Sequence, residues 1–145
     1  FNLIQNHPNM LHPGKKPLHT LSPTIWSKNN ELEFIVGTRG GRYQPQLLAQ
    51  HILPYILGKS SFEEIVKKPR WSLEYFGSNT DSEIKFEFIE ESVKNSLVSK
   101  GHKVIVEDRL VSAYGPISTI YKNESGNFIG VPDVRVGTEK AFNNS

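Results

Sequence analysis

The chain has no cysteine among its 145 residues. That excludes disulfides, thiol nucleophiles and cysteine-based zinc sites, and it leaves the redox compartment open. An excess of either charge is also missing. Seventeen Lys and Arg against 15 Asp and Glu leave a net +2, so no broad basic face for nucleic acid is expected. No apolar run approaches the roughly 20 residues of a membrane-spanning helix. Repeats and low-complexity stretches are absent. What is there, 37% hydrophobic and 22% charged residues, is ordinary for one folded domain or part of one. The chain opens on Phe1, Leu3 and Ile4 with no initiator methionine, charged leader or long apolar leader core. It is therefore expected to be an interior stretch of a longer polypeptide, processed or cut. The sequence does not assign a compartment.

Residues 5–24 carry His7-Pro8-Asn9, His12-Pro13-Gly14 and Ser22-Pro23, which break both helix and strand and predict a long functional or flexible loop. A hairpin follows: Thr24–Trp26, a turn at Asn29-Asn30, and Glu31–Val36. The second strand ends on Gly37-Thr38-Arg39-Gly40-Gly41, and a helix starts near Pro45 with Leu48, Ile52, Tyr55 and Ile56 as its buried stripe. Pro54 is expected to kink or shorten it. Ser61-Phe62-Glu63-Glu64 reads as a capping box opening a short helix that stops before Pro69. Strands are expected at Trp71–Phe76, Lys103–Val106, Ser118–Lys122 and Phe128–Val131, the last two joined by a turn at 123–126. Another is expected at Glu83–Phe88, with Ile84, Phe86 and Phe88 on one face. Glu90–Lys100 reads as an amphipathic helix on Ile89, Val93 and Leu97, closed by Gly101. Trp26, Trp71, Phe86 and Phe88 read as core. The order is hairpin, two helices, strands, helix, strands, which predicts a layered α+β arrangement rather than a doubly wound sheet.

The strand–glycine loop–helix unit at 31–57 is the strongest local candidate for chemistry. Gly40 and Gly41 let their backbone N–H groups approach a ligand, next to a helix N-terminus that favours negative charge. A tight turn without a ligand gives the same pattern. The residues after the glycines, Arg42-Tyr43, do not make a P-loop, and the Gly37–Gly40 spacing does not make a dinucleotide fingerprint. Arg39 and Arg42 can hold a phosphate or carboxylate, or be solvated. His19 and Thr20 set an imidazole and a hydroxyl side by side; they read as contacts for a substrate carboxylate or as a loop anchor and a surface histidine. His7 and His12 with Asn9 match no metal-ligand spacing, and no metal or cofactor is expected. Asn123-Glu124-Ser125 and Asn143-Asn144-Ser145 match glycosylation acceptors, a pattern that mostly arises by chance.

In combination these features resemble one family. Pro13-Gly14-Lys15-Lys16-Pro17-Leu18-His19-Thr20-Leu21-Ser22-Pro23-Thr24, preceded by His7-Pro8-Asn9, is similar to the gamma-glutamyltransferase loop that reads roughly PGKRPLSSMSPT. The Gly40-Gly41 pair, Pro69-Arg70, Gly101-His102-Lys103-Val104, and Asp133-Val134-Arg135 with Gly137 follow in the family's order. The resemblance implies part of a four-layer αββα sandwich of the N-terminal nucleophile hydrolase type. It implies that residues 1–145 are the C-terminal portion of the small, catalytic subunit, inactive alone. The partners would be the large subunit and the remaining small-subunit segment of one autoprocessed precursor. The implied chemistry is cleavage of a γ-glutamyl or related amide through a threonine acyl-enzyme, with transfer to water or an amino acid. Gly40 and Gly41 then match the oxyanion hole. His19 and Thr20 stand where the family has two serines against the substrate carboxylate, Thr20 keeping the hydroxyl and His19 departing from it. The threonine and the residue that binds the substrate amine are expected upstream of Phe1. The alternatives are a non-enzymatic anion-binding domain and an inactive structural homologue.

Overall fold

The computed structural model describes residues 2–75, 82–107 and 115–137. Phe1, Phe76 and the Asn143-Asn144-Ser145 acceptor lie outside the described residues. Strand β1 (Thr24–Lys28) turns through Asn29 and Asn30, both at positive φ, into β2 (Glu31–Thr38). Paired left-handed residues give the turn whose twist matches a two-residue hairpin, and asparagine tolerates that backbone better than most residues. A 3-10 turn, Gly41–Tyr43, leads into helix α1 (Gln44–Ile56), and α2 (Phe62–Ile65) follows. The capping box at Ser61 forms in full. Then come β3 (Trp71–Tyr75), β4 (Ser82–Phe86), helix α3 (Glu91–Ser99), β5 (Lys103–Val106), β6 (Ile117–Lys122) and β7 (Phe128–Val131).

Two sheets result. One is antiparallel in the order β1-β2-β6-β7; the other has the order β3-β4-β5, with β4 and β5 parallel across α3. The layered α+β reading holds, with one strand–helix–strand crossover that the sequence reading did not separate out. The core lies between the four-stranded sheet and α1 and α2. Phe34, Val36, Ile117 and Val131 face Leu47, Leu48, Ile52, Phe62, Ile65 and Val66. Tyr55 stacks on Phe62 with ring centroids 4.0 Å apart, and Phe34 meets Phe62 edge-on at 5.2 Å.

Helix α1 is also tied to the three-stranded sheet by glutamines. Gln46 donates to Leu73 O (3.1 Å) and accepts from Leu73 N (2.7 Å), and Gln50 does the same with Trp71 O (2.8 Å) and N (3.0 Å). Two amides one helical turn apart thereby act as a mock strand, satisfying the outer edge of β3 that would otherwise be open to pairing.

Four local expectations are corrected. Ile56 is exposed, because successive steps of four residues drift about 40° each around a helix and carry it off the stripe; Leu47 and His51 complete the stripe instead. Strand β4 ends at Phe86, so alternation stops: Glu87 turns inward and Phe88 outward. Trp26, Trp71 and Phe88 are substantially exposed rather than core. Helix α3 packs on β5 and has no buried side chain, its Val93 half exposed.

Candidate functional site

The glycine loop sits where β2 runs out and the 3-10 turn begins. Its shape is fixed from behind. The backbone at Gly115, at positive φ, lies against the Arg39 carbonyl so closely that a Cβ there would fall 1.7 Å from the Arg39 oxygen. The Thr38 hydroxyl stands in the same seam, 2.9 Å from Arg39 O and 3.0 Å from Pro116 O. With Arg39 C=O directed at Gly115, planarity of the trans peptide sends the Gly40 N–H the opposite way, away from that backbone. Gly40 O accepts from Tyr43 N (3.0 Å), which turns the Gly41 N–H outward at the start of the helical segment. Neither amide donates to another described residue. Gly40 has φ 139° and ψ 17°, a backbone region open essentially to glycine, and a Cβ there would meet Leu47 Cδ1 at 3.3 Å. Gly41, at φ 54°, has open space where its side chain would be.

The loop with His19 and Thr20 reaches the same end of α1 through a residue that the sequence reading passed over. Gln44, buried at the first position of the helix, donates from Nε2 to Thr20 O (2.9 Å) and accepts at Oε1 from Ser22 N (3.1 Å). The side chains of His19 and Thr20 are exposed. Arg42 is not simply solvated: it donates to the Tyr43 hydroxyl (3.3 Å) and lies over that ring. Tyr43 in turn donates to Glu74, whose carboxyl is held low by this bond and by Lys85 3.1 Å away.

Behind the glycine loop lies a buried set of four charges. Arg70 donates to Gly115 O (3.0 Å) and pairs with Asp133 (2.7 Å), whose same oxygen accepts from Ile117 N (2.7 Å). Arg135 donates from Nε to Glu87 (2.6 Å), pairs with it through Nη2 as well, and reaches Asp133 (3.2 Å), Val66 O (2.9 Å) and Lys68 O (3.0 Å). Glu87 closes the ring by accepting from Arg70 N (2.7 Å). Two cations and two anions cancel, and each carboxylate oxygen has a partner, as burial requires. Burial pushes the Asp133 carboxyl up, but Arg70 and the Arg135 and Ile117 amides outweigh it and hold the group below its ordinary value. Nearby, burial and then Arg70 pull the His51 imidazole down to about 4; it sits 2.8 Å from the Thr119 hydroxyl. The sequence offered Pro69-Arg70 and Asp133–Arg135 only as family marks. Glu87, Gly115 and Gln44 carried no signal of their own.

The two-sheet α+β architecture is that of the N-terminal nucleophile hydrolase class. Among solved structures, the chain is similar to the Bacillus anthracis transpeptidase CapD, with 26% identity, a TM-score of 0.74, and 98% of this chain and 78% of that one covered. It is also similar to a mutant of Helicobacter pylori gamma-glutamyltranspeptidase, with 26% identity, a TM-score of 0.69, and 88% and 67% covered. The profile of the family described as Gamma-glutamyltranspeptidase matches residues 1–142, and the chain belongs to that family. Its sequence is 32% identical to an oxamate amidohydrolase proenzyme of Klebsiella pneumoniae over 93% of this chain. It is 28% identical to a glutathione hydrolase-like proenzyme of Bacillus subtilis, again over 93%. The chain spans about a quarter (26%) of the length of each of these relatives.

Proposed function

We propose that residues 1–145 form the C-terminal portion of the small subunit of a gamma-glutamyltransferase-like enzyme and supply its oxyanion hole. The observation that supports this most is the pair of successive glycine amides, turned outward by their own peptide planes and unpaired among the described residues. In this reading a threonine at the start of the small subunit, upstream of this segment, attacks the carbonyl of a γ-glutamyl or related amide. Its own amino group takes the hydroxyl proton. The carbonyl oxygen becomes an oxyanion, held by the N–H groups of Gly40 and Gly41. Collapse expels the amine, which takes up the proton, and leaves an ester on the threonine. Water or an amino acid then takes the acyl group through a second oxyanion at the same amides. A lost oxyanion donor costs about 3 kcal/mol of barrier, which sets the scale of the glycine pair's contribution.

His19 and Thr20 contact the substrate carboxylate in this reading. Gln44 keeps their loop against the helix that carries the glycines. The partners are the large subunit and the rest of the small subunit from the same precursor. The names of the relatives place oxamate and glutathione among the substrates to assay. The test is turnover by the complete, matured protein of a γ-glutamyl anilide, glutathione and oxamate. Burst release of the amine on one of them, abolished by replacing the small subunit's first threonine with alanine, is expected. No turnover of any of the three by correctly matured protein would refute the reading.

A further inference from the structure

The buried charges have no place in the chemistry above, yet their bonds converge on one short piece of backbone. Arg70 holds Gly115 O (3.0 Å), Asp133 holds Ile117 N (2.7 Å), and Arg70 and Asp133 hold each other (2.7 Å). Residues 115–117 are therefore gripped at both ends by one ion pair. Arg135 fixes the outer Asp133 oxygen with its own amide (2.9 Å) and guanidinium (3.2 Å) and is anchored in turn on Glu87 and on the carbonyls of Val66 and Lys68. The gripped backbone is the surface against which the Arg39 carbonyl rests, with Gly115 Cα 3.7 Å from the position of a Cβ on Gly40. Because Arg39 C=O and Gly40 N–H belong to one planar unit, anything that sets the direction of the first sets the direction of the second.

We infer that Arg70, Asp133, Arg135 and Glu87, acting through Gly115 and the Thr38 hydroxyl, are positioning residues that aim the Gly40 amide at the reacting carbonyl. The inference rests on the oxyanion reading of Gly40. The cluster satisfies the buried Gly115 carbonyl and Ile117 amide, and in doing so fixes the backbone against which this peptide plane rests. Loss of its grip on residue 115 lets the Arg39–Gly40 peptide rotate, and an oxyanion donor that swings off its line loses most of its effect on the transition state while leaving substrate binding alone.

The experiment uses the complete protein with Arg70→Lys, which keeps the positive charge beside Asp133 but cannot span both Asp133 and Gly115 O, and with Thr38→Val, which removes only the seam hydroxyl. Three quantities are read below the melting range: the acylation rate in a single turnover of γ-glutamyl anilide, KM, and the affinity for a γ-boronic acid analogue of the substrate that forms a tetrahedral adduct. The expected result for Arg70→Lys is acylation slower by about 10- to 100-fold, the scale of a small misplacement of a catalytic group. Thr38→Val should lose about 5- to 10-fold, a fraction of one oxyanion donor. In both variants boronate affinity should fall in parallel with KM little changed. Matured variants with lower melting temperatures but parental acylation and boronate affinity would overturn the inference and leave the oxyanion reading standing. If Arg70→Lys does not mature, Thr38→Val decides by the same criterion. If Gly40→Ala itself leaves acylation and boronate affinity unchanged, the oxyanion reading fails and takes this inference with it.

Discussion

On one face of the four-stranded sheet Phe34, Val36, Ile117 and Val131 are shut beneath α1 and α2, whereas on the other Ile25 is 74% exposed, Ile120 48% and Phe128 52%. The two sets alternate along the same strands. Ile25, Ile35 and Ile120 stand in register across β1, β2 and β6, and Gly130 continues the row on β7. A sheet that alternates apolar residues on both faces is built to be covered on both. The first face is packed within this segment; the open face has no cover among the described residues. That is the layer order of an αββα sandwich seen from one side, and it accords with a chain that spans about a quarter of its relatives. We propose that the second sheet, from the remainder of the same precursor, lies on this face.

The largest expected effect is on the covered side. Phe62→Ala should cost the complete protein about 3–5 kcal/mol in urea unfolding, because it opens a void against Phe34, Tyr55 and His51. Arg135→Leu should cost a similar amount, about 3–5 kcal/mol, because Glu87 and Asp133 stay buried with one cation fewer. A smaller cost at Arg135 than at an exposed lysine such as Lys59 would remove the argument that the quartet braces the fold.

Acid should act next, through His51 on the covered side. Its folded value of about 4 lies below the ordinary 6.5, so the unfolded chain takes up a proton first as pH falls. The stability due to the neutral imidazole is complete above about 6.5 and is lost between about 6.5 and 4, by on the order of 3 kcal/mol at the low end. Melting curves over this range should show the loss, and His51→Gln should flatten it. The smallest effect tests the open face. Ile120→Thr should destabilise the complete protein by about 1 kcal/mol or more, whereas a residue that stays on the surface would give within about 0.5 kcal/mol.

Much of this architecture was legible from residue order. The Asn29-Asn30 turn, the Ser61 box, the Gly101 stop and the glycine loop before Pro45 are signals confined to a few neighbouring residues, and each forms as read. What was hidden depends on distant partners. Trp26 and Phe88 read as core because hydrophobicity says that a side chain will be covered, not by which piece of chain. Glu87 read as the polar side of a strand, and only its meeting with Arg70 and Arg135, 17 and 48 residues away, explains its burial. Gln44, Gln46 and Gln50 look like ordinary helix formers until the backbone at Thr20, Trp71 and Leu73 comes beside them. Of the site, the glycine pair was legible by type, but the direction of the Gly40 amide was not, since the Arg39 carbonyl of the same peptide rests against Gly115, far along the chain.

The most direct test of the account is the single-turnover acylation rate of Gly40→Ala in the complete, matured protein with a γ-glutamyl anilide. The substitution forces a side chain onto a backbone at φ 139° and into Leu47, so the peptide carrying the amide must shift. The account predicts a fall of about 100-fold or more, the size of a lost oxyanion donor. A fall of less than about tenfold in a variant that matures and melts like the parent would contradict it.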